Sequence, residues 1–366
     1  MKKIGIYIHI PYCKQKCHYC DFISFSQKEE TIKKYVETIK KEIEECSYTG
    51  FDVSTIYIGG GTPSLLEEKY ITEIINKIKE KFIVMQNAEI TIEVNPGTVT
   101  KDKKSGINRL SIGLQSTDNT ILKNIGRIHT YQEFLETYKI AREEGFGNIN
   151  VDLMFALPEE DEFGVAIQVS EIINLKPEHI SIYSLIVEEN TKIKEKLENR
   201  EITLPNDEQE RAMYWKIKEL LEENGYIHYE ISNYCMPGKN SKHNMDCWEQ
   251  KEYLGFGTAA HSYFNGKRFS NPKTIEEYIE NYNNKTIEEE QTKEEMAKEY
   301  MMLGLRKIEG VSISAFERKF QINPLFYFRF EISKLVEEEL IEIDLDNIKL
   351  TNKGLDLANI VWEEFI

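Results

Sequence analysis

Basic residues are in short supply in this chain. Lysine and arginine number 46 against 63 aspartates and glutamates in 366 residues, a formal net charge of −17. Phosphate backbones and anionic lipid surfaces would be repelled by most of such a surface, which excludes nucleic acid as a general partner. Long apolar runs are missing too, and nothing approaches the roughly 20 residues needed to cross a bilayer. The opening from Met1 to Ile10 is basic and then apolar. It is short, is interrupted by His9 and has no small-residue cleavage site, so it reads as a first β-strand and not as an export signal. A disulfide framework is also missing: of six cysteines, three fall between positions 13 and 20, while Cys46, Cys235 and Cys247 are scattered. That clustering favours metal binding in a reducing, cytoplasmic compartment. Internal repeats and low-complexity stretches are absent.

What is present is enough apolar material, 40% of the chain, for one large domain and a smaller one. Up to about residue 183, β-branched runs alternate with amphipathic Lys/Glu-rich segments. Strands are expected at 4–10, 54–58, 89–94, 109–113, 148–154 and 179–183, with helices such as 30–45 and 67–81 between them. This βα alternation predicts parallel strands with right-handed crossovers, in a barrel or an open doubly wound sheet. Either architecture gathers its site at the C-terminal strand ends. Cys13 follows the first strand, Gly59-Gly60-Gly61 the second and Gln115 the fourth, while Glu93 ends the third and Asp152 lies late in the fifth. Beyond Pro205 come a long helix at 207–223, a short strand at 228–231 and an irregular segment up to Ser262. A mostly helical end follows, whose last part, 313–366, reads as two helices, a hairpin and a final helix. The expected division is a core barrel over 1–204, a completing segment over 205–270 and a helical, winged-helix-like domain over 271–366.

Cys13, Cys17 and Cys20 place three thiolates on one tight loop, the pattern of a 4Fe–4S cubane whose fourth iron has no protein ligand. The amino and carboxylate groups of S-adenosylmethionine (SAM) suit that open position. The alternative is a structural zinc site closed by His18 or a distant histidine, although paired CxxC knuckles are absent.

The cysteine spacing resembles the radical SAM superfamily signature, and Tyr7-Ile8-His9-Ile10-Pro11-Tyr12-Cys13 resembles the opening of the oxygen-independent coproporphyrinogen III oxidase family. The resemblance continues through Gly59-Gly60-Gly61-Thr62-Pro63-Ser64, Glu93-Val94-Asn95-Pro96, Asn108 to Ser116 and Tyr229-Glu230-Ile231-Ser232-Asn233. It implies an α/β fold, a partial parallel (βα)6 radical SAM barrel, with SAM contacts at Tyr7, Tyr19, Gly60, Gly61, Thr62, Glu93, Gln115, Arg127 and Asp152. The chemistry is apt: acceptors for ribose hydroxyls and an ammonium, and a guanidinium for a carboxylate. Ala156 stands where relatives usually carry glycine.

Coproporphyrinogen-oxidising members carry a further cysteine at the position of Phe22 and an extension before the first strand. Cys20-Asp21-Phe22 and the immediate start look instead like the heme chaperone branch, HemW. That resemblance implies heme as cargo, delivered to respiratory hemoproteins at the membrane. It directs attention to His243-Asn244-Met245-Asp246-Cys247-Trp248, to Tyr253-Leu254-Gly255-Phe256-Gly257 and to His261. His243 or Cys247 would supply an axial ligand and Trp248 a flat apolar wall, with Cys247 in place of the branch's usual tyrosine. The alternative is that His243 and Asn244 satisfy backbone groups while Trp248 packs in the core. Cys235 and Cys247 read as buried thiols. Two other functional classes stay open, an enzyme that modifies a tetrapyrrole by radical chemistry and a zinc-stabilised interaction protein.

Overall fold

The computed structural model describes residues 2–21, 25, 29–98 and 106–366; Phe22 lies outside the described residues. The chain runs β1 (Lys2–Ile10), α1 (Glu29–Glu45), β2 (Phe51–Gly60), a 3-10 turn (Pro63–Leu65), α2 (Glu68–Lys81), β3 (Ile83–Val94), β4 (Arg109–Gln115), α3 (Asn119–Asn124), α4 (Tyr131–Glu143), β5 (Ile149–Phe155), α5 (Glu162–Leu175) and β6 (His179–Ser184). Next come α6 (Lys192–Glu198), α7 (Asp207–Glu223), β7 (Ile227–Glu230), β8 (Asn233–Cys235), α8 (Lys242–Trp248), β9 (Tyr253–Phe256), β10 (His261–Phe264), β11 (Lys267–Ser270), α9 (Ile275–Asn281) and β12 (Thr286–Glu290).

Strands β1 to β6 lie side by side in chain order and all parallel. Their ends do not meet. On its outer side β1 pairs with β9 in parallel, and β6 pairs with β8 antiparallel, so the six strands form a partial barrel. Alternate residues on a strand face opposite sides, and here the two sides differ chemically. Ile4, Ile6, Ile8 and Ile10 of β1 are at most 1% exposed. With Ile56, Ile58, Ile112, Val151 and Ile180 they join one core with Val36 and Ile39 of α1 and Ile74, Ile75 and Ile78 of α2. Burying each such side chain is worth about 1.5–3 kcal/mol. The intervening residues, Gly5, Tyr7, His9, Thr55, Tyr57, Glu93, Ser111, Asp152 and Ser181, are polar or small. A closed barrel packs branched aliphatic residues inside; this one carries a hydrogen-bonding interior.

The short strand expected at 228–231 is β7, while the residues after it, expected to be irregular up to Ser262, instead form β8, α8, β9 and the start of β10. These elements run three to seven residues, too short to set up a recognisable period. Their order also comes from distant partners, such as Gly5 for Tyr253.

The C-terminal part comprises α10 (Lys293–Gly304), β13 (Val311–Ser312), α11 (Ile313–Phe320), α12 (Pro324–Tyr327), α13 (Arg329–Glu337), β14 (Ile341–Asp344), β15 (Asn347–Leu350), α14 (Asn352–Asp356) and α15 (Ala358–Glu363). A capping box of Thr292 with Glu295 starts α10, which satisfies two orphan backbone donors at once. The three-stranded sheet β13-β15-β14 packs with the helices over a separate core that includes Met301, Phe316, Phe328, Leu335 and Phe365. Trp215 of α7 touches both cores and ties this part to the barrel.

Candidate functional site

The loop after β1 and the loop after β2 are zipped together. Gly61 N–H donates to the Ile10 carbonyl at 2.8 Å, and Thr62 N–H to that of Tyr12 at 2.7 Å. Only glycine permits this approach: a Cβ at Gly61 would stand 2.7 Å from the Tyr12 carbonyl oxygen and 3.0 Å from Cys13 Sγ, and Gly60 has φ +113°. Cys13, Cys17 and Cys20 are partly exposed free thiols. Thr62 Oγ1 lies 3.6 Å from Cys13 Sγ, and Arg127 Nη1 donates to Cys17 Sγ at 3.5 Å. A guanidinium beside a sulfur and a hydroxyl beside another suit thiolates that share the negative charge of a cluster.

The three cysteines border one cleft of about 170 Å³ together with Tyr19, Gly60, Gly61, Thr62, Glu93, Gln115, Arg127 and Asp152. Glu93 Oε2 accepts from Gly60 N–H and Oε1 from the Tyr57 hydroxyl, both at 3.0 Å. Burial, with a smaller contribution from Asp152, raises its carboxyl to about 7. Asp152 is raised as well, again by burial first, and accepts from Asn150 Nδ2 at 2.7 Å. Two neighbouring buried carboxylates make this end of the cleft ready for a cation. Arg127 Nη2 donates to Asn95 Oδ1 at 2.7 Å, while its Nε is buried without a hydrogen-bond partner among the described residues. Gln115 adopts φ +74° and accepts from the Tyr183 hydroxyl at 3.2 Å.

Eight of the nine expected SAM contacts thus border one cleft with the cysteines. Tyr7 does not. It sits one step down β1, its ring stacked on Tyr57 with centroids 6.4 Å apart and its hydroxyl 2.9 Å from His9 Nδ1. It borders instead a second cleft of about 500 Å³, lined by Tyr7, His9, Asp21, His243, Cys247, Tyr253, Ala259 and His261.

Helix α8 carries His243 and Cys247 into this second cleft. Ser241 caps it, and the buried Glu89 carboxylate of β3 accepts from the backbone N–H groups of Lys242 and His243, both at 3.2 Å. A charge at a helix start holds it well. The His243 ring stacks on Tyr57 at 5.2 Å, with Nδ1 2.8 Å from Thr55 Oγ1. Burial, and then the Arg109 charge, lowers its pKa to about 4, so the imidazole is neutral. Burial pushes the Cys247 thiol up to about 12. Positions 243 and 247 share a helix face at i, i+4.

Trp248 is one residue on, turned away by about 100°, and does not border the cleft. Its ring packs 4.5 Å from the Arg306 guanidinium, which Trp362 flanks at 4.6 Å on the C-terminal part. The expectation of a flat wall at Trp248 is therefore corrected, and packing is its role. Asn244 does not border the cleft either. Cys235 is buried, with its thiol raised to about 11 by burial, and among the described residues it belongs to no group of three His, Cys, Asp or Glu side chains that could hold a metal ion. His18 Nδ1 is engaged by the Asn124 carbonyl at 2.9 Å.

Several contributors escape the sequence reading: Asn95, Ser111 and Tyr183 in the first cleft, Tyr57 beside His243 and Thr55 beneath it. Strand parity was the signal for two of them. Thr55 and Tyr57 share a sheet face with Gly59, which was singled out; Tyr183 lies on a strand that carries no such residue.

The radical SAM superfamily model matches residues 7–165, and the HemN C-terminal domain model matches 291–357. The heme chaperone HemW of Lactococcus lactis is 35% identical over 100% of this chain and 98% of its own length. HemW of Bacillus subtilis is also 35% identical, over 98% of each chain. Among solved structures, coproporphyrinogen III oxidase (HemN) from Escherichia coli, described as a radical SAM enzyme, superposes with a TM-score of 0.84. That match is 21% identical and covers 100% of this chain and 90% of the other.

Proposed function

The chain belongs to the radical SAM superfamily and, within it, to the HemW family of heme chaperones, and from that membership we propose that it binds heme in the cleft of His243 while a cluster and SAM occupy the cleft of the three cysteines. In the first cleft, Cys13, Cys17 and Cys20 hold a 4Fe–4S cluster. Glu93 and Asp152 take the SAM ammonium and ribose, Arg127 the carboxylate, and the backbone of Gly60 through Thr62 lines its path. The cluster, when bound, supplies an iron with an open position and a source of electrons.

The observation that carries the heme reading is the second cleft itself. It sets a neutral imidazole and a thiol beside about 500 Å³ of space, within the range of ligand-sized clefts. Among the described residues, no three His, Cys, Asp or Glu side chains are gathered closely enough to share one metal ion. A heme needs no such cage, because it brings its own four nitrogens and requires only an axial ligand. The same scarcity argues against a single zinc as structural glue, whereas a cubane takes its thiolates on different irons. No helix among the described residues is long and apolar enough to cross a membrane, so transfer to a respiratory hemoprotein would proceed by docking.

Tyr57, which donates to Glu93 of the first cleft and stacks on His243 of the second, favours one second reading, an enzyme in which SAM-derived radicals reach a tetrapyrrole held beside it. Anaerobic incubation of cluster-reconstituted protein with SAM, reductant and either heme or coproporphyrinogen III separates the two. Mass spectrometry should recover heme bound and unchanged, with coproporphyrinogen untouched. Loss of either tetrapyrrole in step with 5′-deoxyadenosine would replace the chaperone with the enzyme.

A further inference from the structure

His243 is held on every side but one. Thr55, fully buried, lies 2.8 Å from Nδ1. Tyr57 stacks on the ring, and Glu89 anchors the backbone N–H. Beneath the ring lies Gly5, paired with Thr55 on one side and Tyr253 on the other. A Cβ there would stand 3.2 Å from His243 Cε1 and 3.0 Å from Thr55 Oγ1, so the missing side chain makes the seat. Nε2 has no hydrogen bond among the described residues and is not among the sealed buried atoms, while the residue borders the second cleft.

A neutral imidazole carries one proton, and the partner of one nitrogen decides what the other presents. If Thr55 donated to Nδ1, Nε2 would carry the proton and turn an N–H toward the cleft. If Nδ1–H donates to Thr55, Nε2 presents a lone pair. We propose that Thr55 is a positioning residue for heme: its hydroxyl oxygen accepts the Nδ1 proton and so fixes His243 in the tautomer whose Nε2 coordinates the iron. This rests on the heme reading of the cleft.

Thr55→Val keeps the shape and removes the acceptor, and Thr55→Ser keeps the acceptor and removes a methyl. In spectroscopic heme titrations of the cluster-loaded chain, Thr55→Val should bind heme about 10- to 100-fold more weakly, the range for outer partners of a ligating histidine. Thr55→Ser should match the parent. The iron–imidazole stretch in resonance Raman spectra of the ferrous form should fall in Thr55→Val, because a hydrogen bond at Nδ1 makes the ligand more basic. Cluster iron and SAM binding, read on the same samples, report folding. Gly5→Ala, which crowds the ring and deletes no polar group, should weaken heme binding in the same direction. The proposal is overturned if Thr55→Val keeps both affinity and stretch, or if Val and Ser weaken binding equally, which is the mark of packing alone. A parent that binds heme with no iron–imidazole stretch also overturns it and leaves the heme reading standing. A parent that binds no heme removes the heme reading and this proposal with it.

Discussion

The two clefts are linked through Tyr57, which donates to Glu93 of the first and stacks on His243 of the second, and they are built by opposite means. Every side chain of the first comes from the ends of β1 to β6 or the loops that leave them, in chain order, and its hydrogen bonds run from one strand end to the next. The second is assembled at long range. Helix α8 and strand β9 arrive some 240 residues after β1 and dock onto the sheet, the helix through Glu89 of β3 and the strand through its register with Gly5 of β1. The barrel therefore owns the first site, while the second depends on elements that dock from later in the chain.

The largest expected effects test that division directly. Cys17→Ser should abolish cluster iron and labile sulfide, and SAM binding with them, yet leave heme binding to the second cleft intact. His243→Ala should do the reverse, weakening heme by roughly 100-fold, about 3 kcal/mol, with cluster content unchanged. Iron and sulfide analysis beside a heme titration reads both. If either substitution empties both clefts, the two are one site.

A middle-sized effect belongs to Glu93. Below pH 4.5, the ordinary value, its carboxyl is protonated in the folded and unfolded chain alike. Between there and about 7 the unfolded chain ionises first, so stability falls as pH rises. Above about 7 the whole penalty is present, about 1–3 kcal/mol for a group that borders an open cleft. Glu93→Gln should remove that fall, so its melting temperature should exceed the parent's at pH 8 and match it near pH 4. It should also weaken SAM binding at pH 8, where the parent offers a carboxylate to the ammonium. Identical melting profiles for the two proteins would refute the shifted carboxyl.

The same contrast explains what the sequence could disclose. The first cleft is local: Cys13, Cys17 and Cys20 lie on one loop, and Gly59 to Thr62, Glu93, Gln115 and Asp152 each follow or end a strand whose β-branched run is visible. Strand parity then assigns one face to the helices. Strand β9 is invisible by such means. Four residues, Tyr253–Phe256, carry no period, and their place beside β1 depends on a register with Gly5 that no local pattern encodes. Tyr7 borders the second cleft, and its assignment to SAM rests on the family position alone, since a match in sequence does not say which cleft a ring borders. Trp248 misled because it is adjacent in sequence to Cys247 and a third of a helical turn away in space.

The smallest effect is expected at the rim of the barrel, where β5 ends. Ala156, where the family resemblance leads one to expect glycine, has φ +57°, a left-handed conformation that costs a non-glycine residue about 1–2 kcal/mol. Its methyl is 5% exposed and belongs to the main core, a burial worth about 0.8 kcal/mol. Glycine in its place would bring a further loss of about 0.5–1 kcal/mol in the entropy of ordering the chain. These contributions oppose one another, so Ala156→Gly should shift unfolding stability by less than about 1 kcal/mol in a denaturant titration. Ala156 does not border the first cleft, so SAM affinity should stay within about twofold of the parent. A tenfold tightening of SAM with unchanged stability would mean that the methyl obstructs the ligand. The first cleft would then extend past the end of β5, into backbone that now counts only as scaffold.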